Sequence, residues 1–308
     1  MKRILWIIHN YPPHQNAGAE WMAVEINNYL LAKGYEVRVV NGTVNNPYVF
    51  EKLQVLDRSL LEDELRKADV VFTHLDMSEQ VTAMCLILKK PVFNVIHHNF
   101  EIHHLRQKSN LIHLIYNTEW VKKDRHYQGG NGLILHPPVS IDRFAGVQRR
   151  KDGYVTLVNC NQDKGGDVIK LIAEANPHVK FLGVLGAHGS QVTHGLPNLD
   201  YSRNVTDICE AFKVTRTLIV PSIYESYGRI GIEALACGIP VIAAITPGLQ
   251  ESLGNAGIFV ERDDIAAWSK QIYLAEPNDN LKIHASDCWK NSKAELAELD
   301  SYIQNLKK

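Results

Sequence analysis

Two carboxylates, Glu225 and Glu233, stand eight residues apart in the stretch P-S-I-Y-E-S-Y-G-R-I-G-I-E-A-L-A-C-G, residues 221–238. Residues 217–220 (T-L-I-V) read as a short buried strand just upstream. Residues 229–237 read as a helix closed by Gly238, and Pro240 opens the next strand, V-I-A-A-I. Glu225 is thus expected in the loop beyond a strand's carboxyl end, with Glu233 two turns into the following helix. Between them, Ser226, Tyr227, Gly228 and Arg229 offer backbone N–H groups at a helix N-terminus. Amides there lack intrahelical partners and the helix dipole favours negative charge, so this is a seat for a phosphate. Gly228 lets the backbone come close to a ligand. A carboxylate on each side of an anion seat suits a ligand with hydroxyls at both ends. A sugar joined through a diphosphate to a nucleoside is such a ligand.

The elements that must position this unit run through the whole chain. Strands are expected at 4–8, 37–40, 70–74, 92–97, 111–116 and 133–136, with helices at about 20–33, 60–67, 80–89 and 118–126 between them. This alternation predicts a mostly parallel sheet with helices on both faces. The segment H-P-P-V-S-I-D-R-F and the polar run 148–153 then read as a linker. The pattern restarts with strands at 155–158, 181–185, 217–220, 241–245 and 258–260, and helices at about 167–174, 206–212 and 265–275. The fold class is therefore α/β, with two Rossmann-like doubly wound domains. The expected divisions are 1–148, 149–285 and a helical tail, 286–308, packing back toward the first domain.

At 308 residues the chain is long for one core and right for two α/β domains. Five scattered cysteines without C-x-x-C argue for a reducing compartment and against a disulfide framework or zinc ribbon. No apolar run approaches the roughly 20 residues of a membrane span. The opening M-K-R-I-L-W-I-I-H-N reads as a first strand rather than a signal peptide, so a cytoplasmic, soluble protein is expected. Residues 85–150 hold ten Lys+Arg against four Asp+Glu, a net +6, with seven histidines besides. An anionic partner should therefore meet the first half. The loop after the first strand lacks G-x-G-x-x-G, so a dinucleotide fingerprint is absent.

The segment S-I-Y-E-S-Y-G-R-I-G-I-E-A-L-A-C-G-I-P-V-I-A resembles the E-x7-E signature of retaining glycosyltransferases of the GT-B fold, specifically family four. Further elements follow in register along nearly the whole chain: N-Y-P-P-H-Q-N-A-G-A-E resembles the N-terminal glycine loop, V-I-H-H the histidine-ended strand, Q-D-K-G-G-D the K-G element and T-P-G-L-Q-E-S the turn after the signature. The resemblance implies two domains facing across a cleft and sugar transfer with retained configuration. It assigns Glu225 to donor-sugar hydroxyls and Glu233 to the ribose. Ser226, Tyr227, Gly228, Arg229 and Ile230 line the donor, Lys164 neutralises the diphosphate, Gly18 touches the phosphate and His97 the reacting sugar. No D-x-D is present, so no metal or other cofactor is expected beyond the nucleotide-sugar co-substrate. Two departures stand out. Val158-Asn159 occupies the place of a usual G-R pair, leaving Asn159 beside the donor without its cation, a gap that Arg229 could fill. Ala17 replaces one glycine of the N-terminal pair, and the chain is short for the family.

The acceptor is left open as a hydroxyl on a glycan, lipid or small molecule, with His98, Arg106 and Lys108 as its candidate contacts. A phage-type enzyme acting on hydroxymethylated pyrimidines in DNA is one alternative, because the basic segment suits DNA or an anionic surface. A nucleotide-sugar epimerase and a non-catalytic binding module are others. No stable protein partner is evident. His97, His98, His103 and His104 fall on different elements and do not read as a zinc set. Trp6, Trp21 and Trp120 read as core, and residues 122–125 as a solvated helix face.

Overall fold

Alternating apolar strands and amphipathic helices give two parallel sheets, each built from its own part of the chain. The computed structural model describes residues 2–100, 108–124, 132–147, 149–187 and 189–306. It divides into two units: Met1–Pro138 with Ser292–Lys308, and Val139–Asn291. The division at Pro138 comes earlier than the polar run at 148 suggests. The prolines of H-P-P mark it, while Val139, Phe144 and Val147 already belong to the core of the second unit.

The first unit contains β1 (Arg3–Ile8), α1 (Gly18–Ala32), β2 (Glu36–Asn41), β3 (Tyr48–Phe50), β4 (Leu53–Leu56), α2 (Leu61–Lys67), β5 (Val70–His74), α3 (Ser78–Ile87), β6 (Val92–Ile96), β7 (Ile112–Tyr116), α4 (Glu119–Asp124) and β8 (Gly132–Ile134). The second contains β9 (Tyr154–Val158), α5 (Val168–Ala175), β10 (Phe181–Val184), β11 (Leu199–Ser202), α6 (Cys209–Phe212), β12 (Thr215–Val220), α7 (Arg229–Ala236), β13 (Val241–Ala244), α8 (Pro247–Leu253), β14 (Gly257–Val260) and α9 (Ile265–Leu274). Helix α10 (Asp279–Asn305) starts earlier than its composition suggested, and its residues from Ser292 belong with the first unit.

In the first sheet the strand order is β3-β4-β2-β1-β5-β6-β7-β8, parallel throughout except for the β3/β4 pair. That antiparallel hairpin was absent from the sequence expectation, being short and partly exposed. Side chains alternate across β1: Ile4, Trp6 and Ile8 pack with α1 residues Met22, Ile26 and Leu30, whereas Leu5 and Ile7 pack with Leu65, Val81 and Cys85. Trp6, Phe72 and Phe93 stack along the first face at centroid distances of 5.0 and 4.7 Å. Leu296, Leu299 and Ile303 of α10 complete that face. Tyr302 joins it through a 3.0 Å hydrogen bond between its hydroxyl and His113 Nδ1.

The second sheet has the order β11-β10-β9-β12-β13-β14, all parallel. In strand sequence this is 3-2-1-4-5-6, the doubly wound dinucleotide-fold order. Its reversal falls between β9 and β12, so ligands are favoured beyond the carboxyl ends of those two strands. Val155, Leu157 and Ile219 pack against α5 and α9 on one face, and Leu218 and Val220 against α7 and α8 on the other. Strand β11, short and mostly half-exposed, lies between the elements expected at 181–185 and 206–212. Among the described residues no helix is long and apolar enough to cross a membrane.

Candidate functional site

The chain leaves β9 through Asn159, which takes the left-handed conformation with φ +68°. Asn161 then caps a tight turn, its side chain accepting from the Lys164 N–H at 2.8 Å. Gly165 follows at φ +100°, and a Cβ there would stand 2.3 Å from Pro221 Cγ. Only glycine suits both the backbone angle and the close approach of the β12 loop. Ile223 N donates to Asp163 O at 2.8 Å, so the two loops are joined backbone to backbone.

This juxtaposition brings Lys164 to Glu225. Nζ stands 2.6 Å from Glu225 Oε1 and 3.3 Å from Tyr224 O, and Ser222 Oγ donates to the same carboxylate oxygen at 3.1 Å. Lys164 and Glu225 keep side-chain exposures of 28% and 15%, so both can meet a ligand. Helix α7 begins immediately beyond, with Gly228 as its cap at φ +77°. A Cβ on Gly228 would lie 2.4 Å from Leu249, so α8 fixes the start of the helix. Tyr227, Gly228 and Arg229 are buried, while Ser226 and Ile230 are partly exposed.

Helix α7 starts at Arg229 as expected, and the four residues from there to Glu233 make about one turn rather than two. Its Oε1 accepts from Arg229 Nε at 2.7 Å, with side-chain exposures of 8% and 6%. The Arg229 guanidinium is therefore directed along its own helix. The Asn159 side chain is held by Gln191, whose Nε2 donates to Asn159 Oδ1 at 3.1 Å. Gln191 Oε1 also accepts from Cys160 N and Gly186 N at 2.9 and 2.7 Å.

Arg262, just beyond β14, was not singled out from sequence. Its Nε donates to Pro221 O at 3.0 Å and its Nη2 pairs with Asp167 at 2.9 Å, which ties the Lys164 turn to the Glu225 loop. A charged residue directly after a parallel strand was the available signal. Nothing in the sequence marked Gln191 or Ser222.

In the first unit, His97 and His98 diverge. His97 Nε2 lies 3.0 Å from His74 Nδ1, and Asn117 Nδ2 donates to the His97 carbonyl at 3.1 Å. Burial, reinforced by His98, pushes His97 down to about 3. His98 instead lies against Phe100 and accepts from its N–H at 3.2 Å. Gly18 is exposed at the first residue of α1, and a Cβ there would meet nothing within 4 Å among the described residues.

His9, Glu20 and His74 also converge here, a grouping the sequence reading did not make. Two neighbouring strands that each run into histidine, I-I-H at His9 and V-V-F-T-H at His74, were its trace in the sequence. Burial holds His74 well below its ordinary value and pushes Glu20 up to about 7. Of the basic segment, Lys108, Lys122 and Lys123 are exposed. Lys90 donates to the carbonyls of Arg66 and Ala68, closing the end of α2. Arg106, Arg125, His103 and His104 lie outside the described residues.

The two parallel-sheet α/β units define the fold class of the GT-B glycosyltransferases. Residues 153–275 match the family model described as glycosyl transferases group 1, a span that includes Lys164, Glu225 and Glu233. Among relatives, a D-inositol 3-phosphate glycosyltransferase of Mycobacterium sp. (strain KMS) is 26% identical over 166 residues, covering 45% of this chain and 38% of its own length. Its counterpart in Mycobacterium tuberculosis (strain F11) is 28% identical over 166 residues, with coverages of 45% and 35%. The aligned part spans well under half the length of these curated relatives. Sucrose-phosphate synthase from Thermosynechococcus elongatus superposes with a TM-score of 0.77 at 15% identity, covering 99% of this chain and 98% of that one. HepE of Anabaena, solved with UDP and glucose, superposes with a TM-score of 0.72 at 15% identity, covering 99% and 100%.

Proposed function

We propose that this protein is a retaining glycosyltransferase that moves a sugar from a nucleotide diphosphate sugar to an acceptor hydroxyl, with no metal on the diphosphate. The observation that carries this reading is the Lys164–Glu225 pair at the reversal point of the second sheet, beside the N-terminus of α7. One cation, one carboxylate and a row of helix amides are what a sugar diphosphate needs. The match of residues 153–275 to group 1 glycosyltransferases supports it, as do the UDP complexes of HepE.

In this reading Glu225 holds donor-sugar hydroxyls, and the amides of Tyr227, Gly228, Arg229 and Ile230, with Ser226, receive the diphosphate. As the glycosidic bond breaks, positive charge spreads over the sugar ring and negative charge grows on the leaving diphosphate. Lys164 and the α7 amides supply the countercharge. Glu233, steadied by Arg229, keeps lone pairs for the ribose hydroxyls. Asn159, held by Gln191, borders the donor. The first unit binds the acceptor substrate that carries the hydroxyl, with His98 and Lys108 as its contacts, and His97 is assigned to the reacting sugar and Gly18 to the phosphate.

A panel of nucleotide sugars tests this directly. A true donor raises the melting temperature by binding the native state. With an acceptor it releases nucleoside diphosphate and gives a product of unchanged anomeric configuration. No stabilisation by any donor, or epimerisation of donor alone, would overturn the proposal.

A further inference from the structure

His9 follows β1, Glu20 lies in the first turn of α1, and His74 ends β5. Strands β1 and β5 are hydrogen-bonded neighbours, and the order of the first sheet reverses between them. The three side chains therefore gather at the place where a doubly wound sheet exposes its ligand crevice. One nitrogen of each imidazole and one carboxylate oxygen all lie within 4.8 Å of one another.

Two of these groups are buried with unused polar atoms. Glu20 and His74 are 1% and 0% exposed. Glu20 Oε2 and His74 Nε2 have no hydrogen-bond partner among the described residues. The opposite edges of the same side chains are held in place. Gln15 Nε2 donates to Glu20 Oε1 at 3.0 Å, and Asn10 Nδ2 donates to Gln15 Oε1 at 2.6 Å. His74 Nδ1 meets His97 Nε2 at 3.0 Å, and a proton on Nδ1 leaves a lone pair on Nε2. An imidazole fixed through one nitrogen with the other unused, beside a carboxylate fixed in the same way, is how proteins orient metal ligands.

We propose that His9, Glu20 and His74 bind one divalent transition-metal ion of the zinc class. Two imidazoles and one carboxylate are a borderline donor set that favours zinc, cobalt or iron over magnesium or calcium. A bare carboxylate buried as deeply as that of Glu20 is costly. A dication in contact with Glu20 removes that cost and uses both orphaned atoms. Three protein ligands leave a coordination position open. The ion would tie the loop after β1 to the end of β5. None of the three ligands belongs to the diphosphate seat of the second unit, and because His97, given above to the reacting sugar, holds His74, the site is read by metal affinity rather than by turnover.

The test uses the full chain, stripped with chelator and desalted, then titrated calorimetrically with Zn²⁺. One equivalent should bind saturably and raise the melting temperature, and Co²⁺ should give visible ligand-field bands that saturate at the same stoichiometry. Glu20→Gln and His74→Gln should each weaken Zn²⁺ by about 100-fold or more. His97→Asn, which removes only the outer partner, should weaken it about 10- to 100-fold. His178→Ala, at an exposed histidine, should leave the affinity unchanged. If the buried-site variants do not fold, the Co²⁺ spectrum of the unaltered chain decides. Absence of a saturable equivalent, or equal affinity in the Glu20 and His74 variants, would overturn the site and leave a buried water between these groups.

Discussion

Lys164 Nζ and Glu225 Oε1 stand 2.6 Å apart although they follow different strands and are 61 residues apart in sequence. Each arrives on a loop at the carboxyl end of a neighbouring parallel strand, β9 or β12. The pair keeps the ammonium in place before a ligand arrives. A diphosphate would compete with Glu225 for that ammonium, and the released carboxylate would then be available to sugar hydroxyls.

Glu225→Gln should lower turnover about 10²-fold, the usual scale for losing a contact made in the transition state. Nucleoside diphosphate affinity should not fall, because Lys164 is freed from its partner. Steady-state kinetics and calorimetry on the same preparation check both halves. A folded variant with near wild-type turnover would remove Glu225 from the chemistry.

Lys164→Ala should weaken nucleoside diphosphate about tenfold or more, roughly 1.4 kcal/mol. The uncharged nucleoside should be nearly unaffected, since only the diphosphate carries the charge that Lys164 meets. EDTA in the titration should leave the wild-type diphosphate affinity unchanged. Equal losses for both ligands would make Lys164 a structural residue.

Arg229 and Glu233 form a buried ion pair within α7. Removing one partner leaves the other charged and desolvated, so Arg229→Met should cost about 3–5 kcal/mol in urea denaturation. The double variant Arg229→Met/Glu233→Leu should recover most of that loss while still failing to bind nucleotide tightly. A double variant with intact nucleotide affinity would take Glu233 out of the donor site.

His113 gives a pH dependence with a defined sign. Burial lowers its proton affinity below the ordinary 6.5 in the fold, where it bonds Tyr302 of α10. The unfolded chain then takes up the proton first, so stability present above pH 6.5 is lost on acidification. One such group contributes at most about 1.4 kcal/mol per pH unit. Denaturation midpoints measured from pH 7.5 downward should fall less steeply in His113→Gln than in the wild type. Parallel slopes would show that His113 is not protonated on unfolding.

The sequence by itself determined the alternation of elements, the strand–loop–helix unit around Glu225 and Glu233, and the amide-lined start of α7. These rest on local signals: apolar runs, a closing glycine and a proline restart within about twenty residues of chain. It also marked Lys164 in a turn between strand and helix. It did not determine that β9 lies beside β12, and only that adjacency turns Lys164 toward Glu225. Nor did it reveal that Arg229 pairs with Glu233, since the i,i+4 spacing allows that contact and only the burial of both side chains selects it. The β3/β4 hairpin and β11 were too short and too partly exposed to carry a clear period. His9, Glu20 and His74 were each unremarkable in the sequence. Their meeting required the reversal of strand order between β1 and β5, a property of the whole sheet that no local stretch encodes.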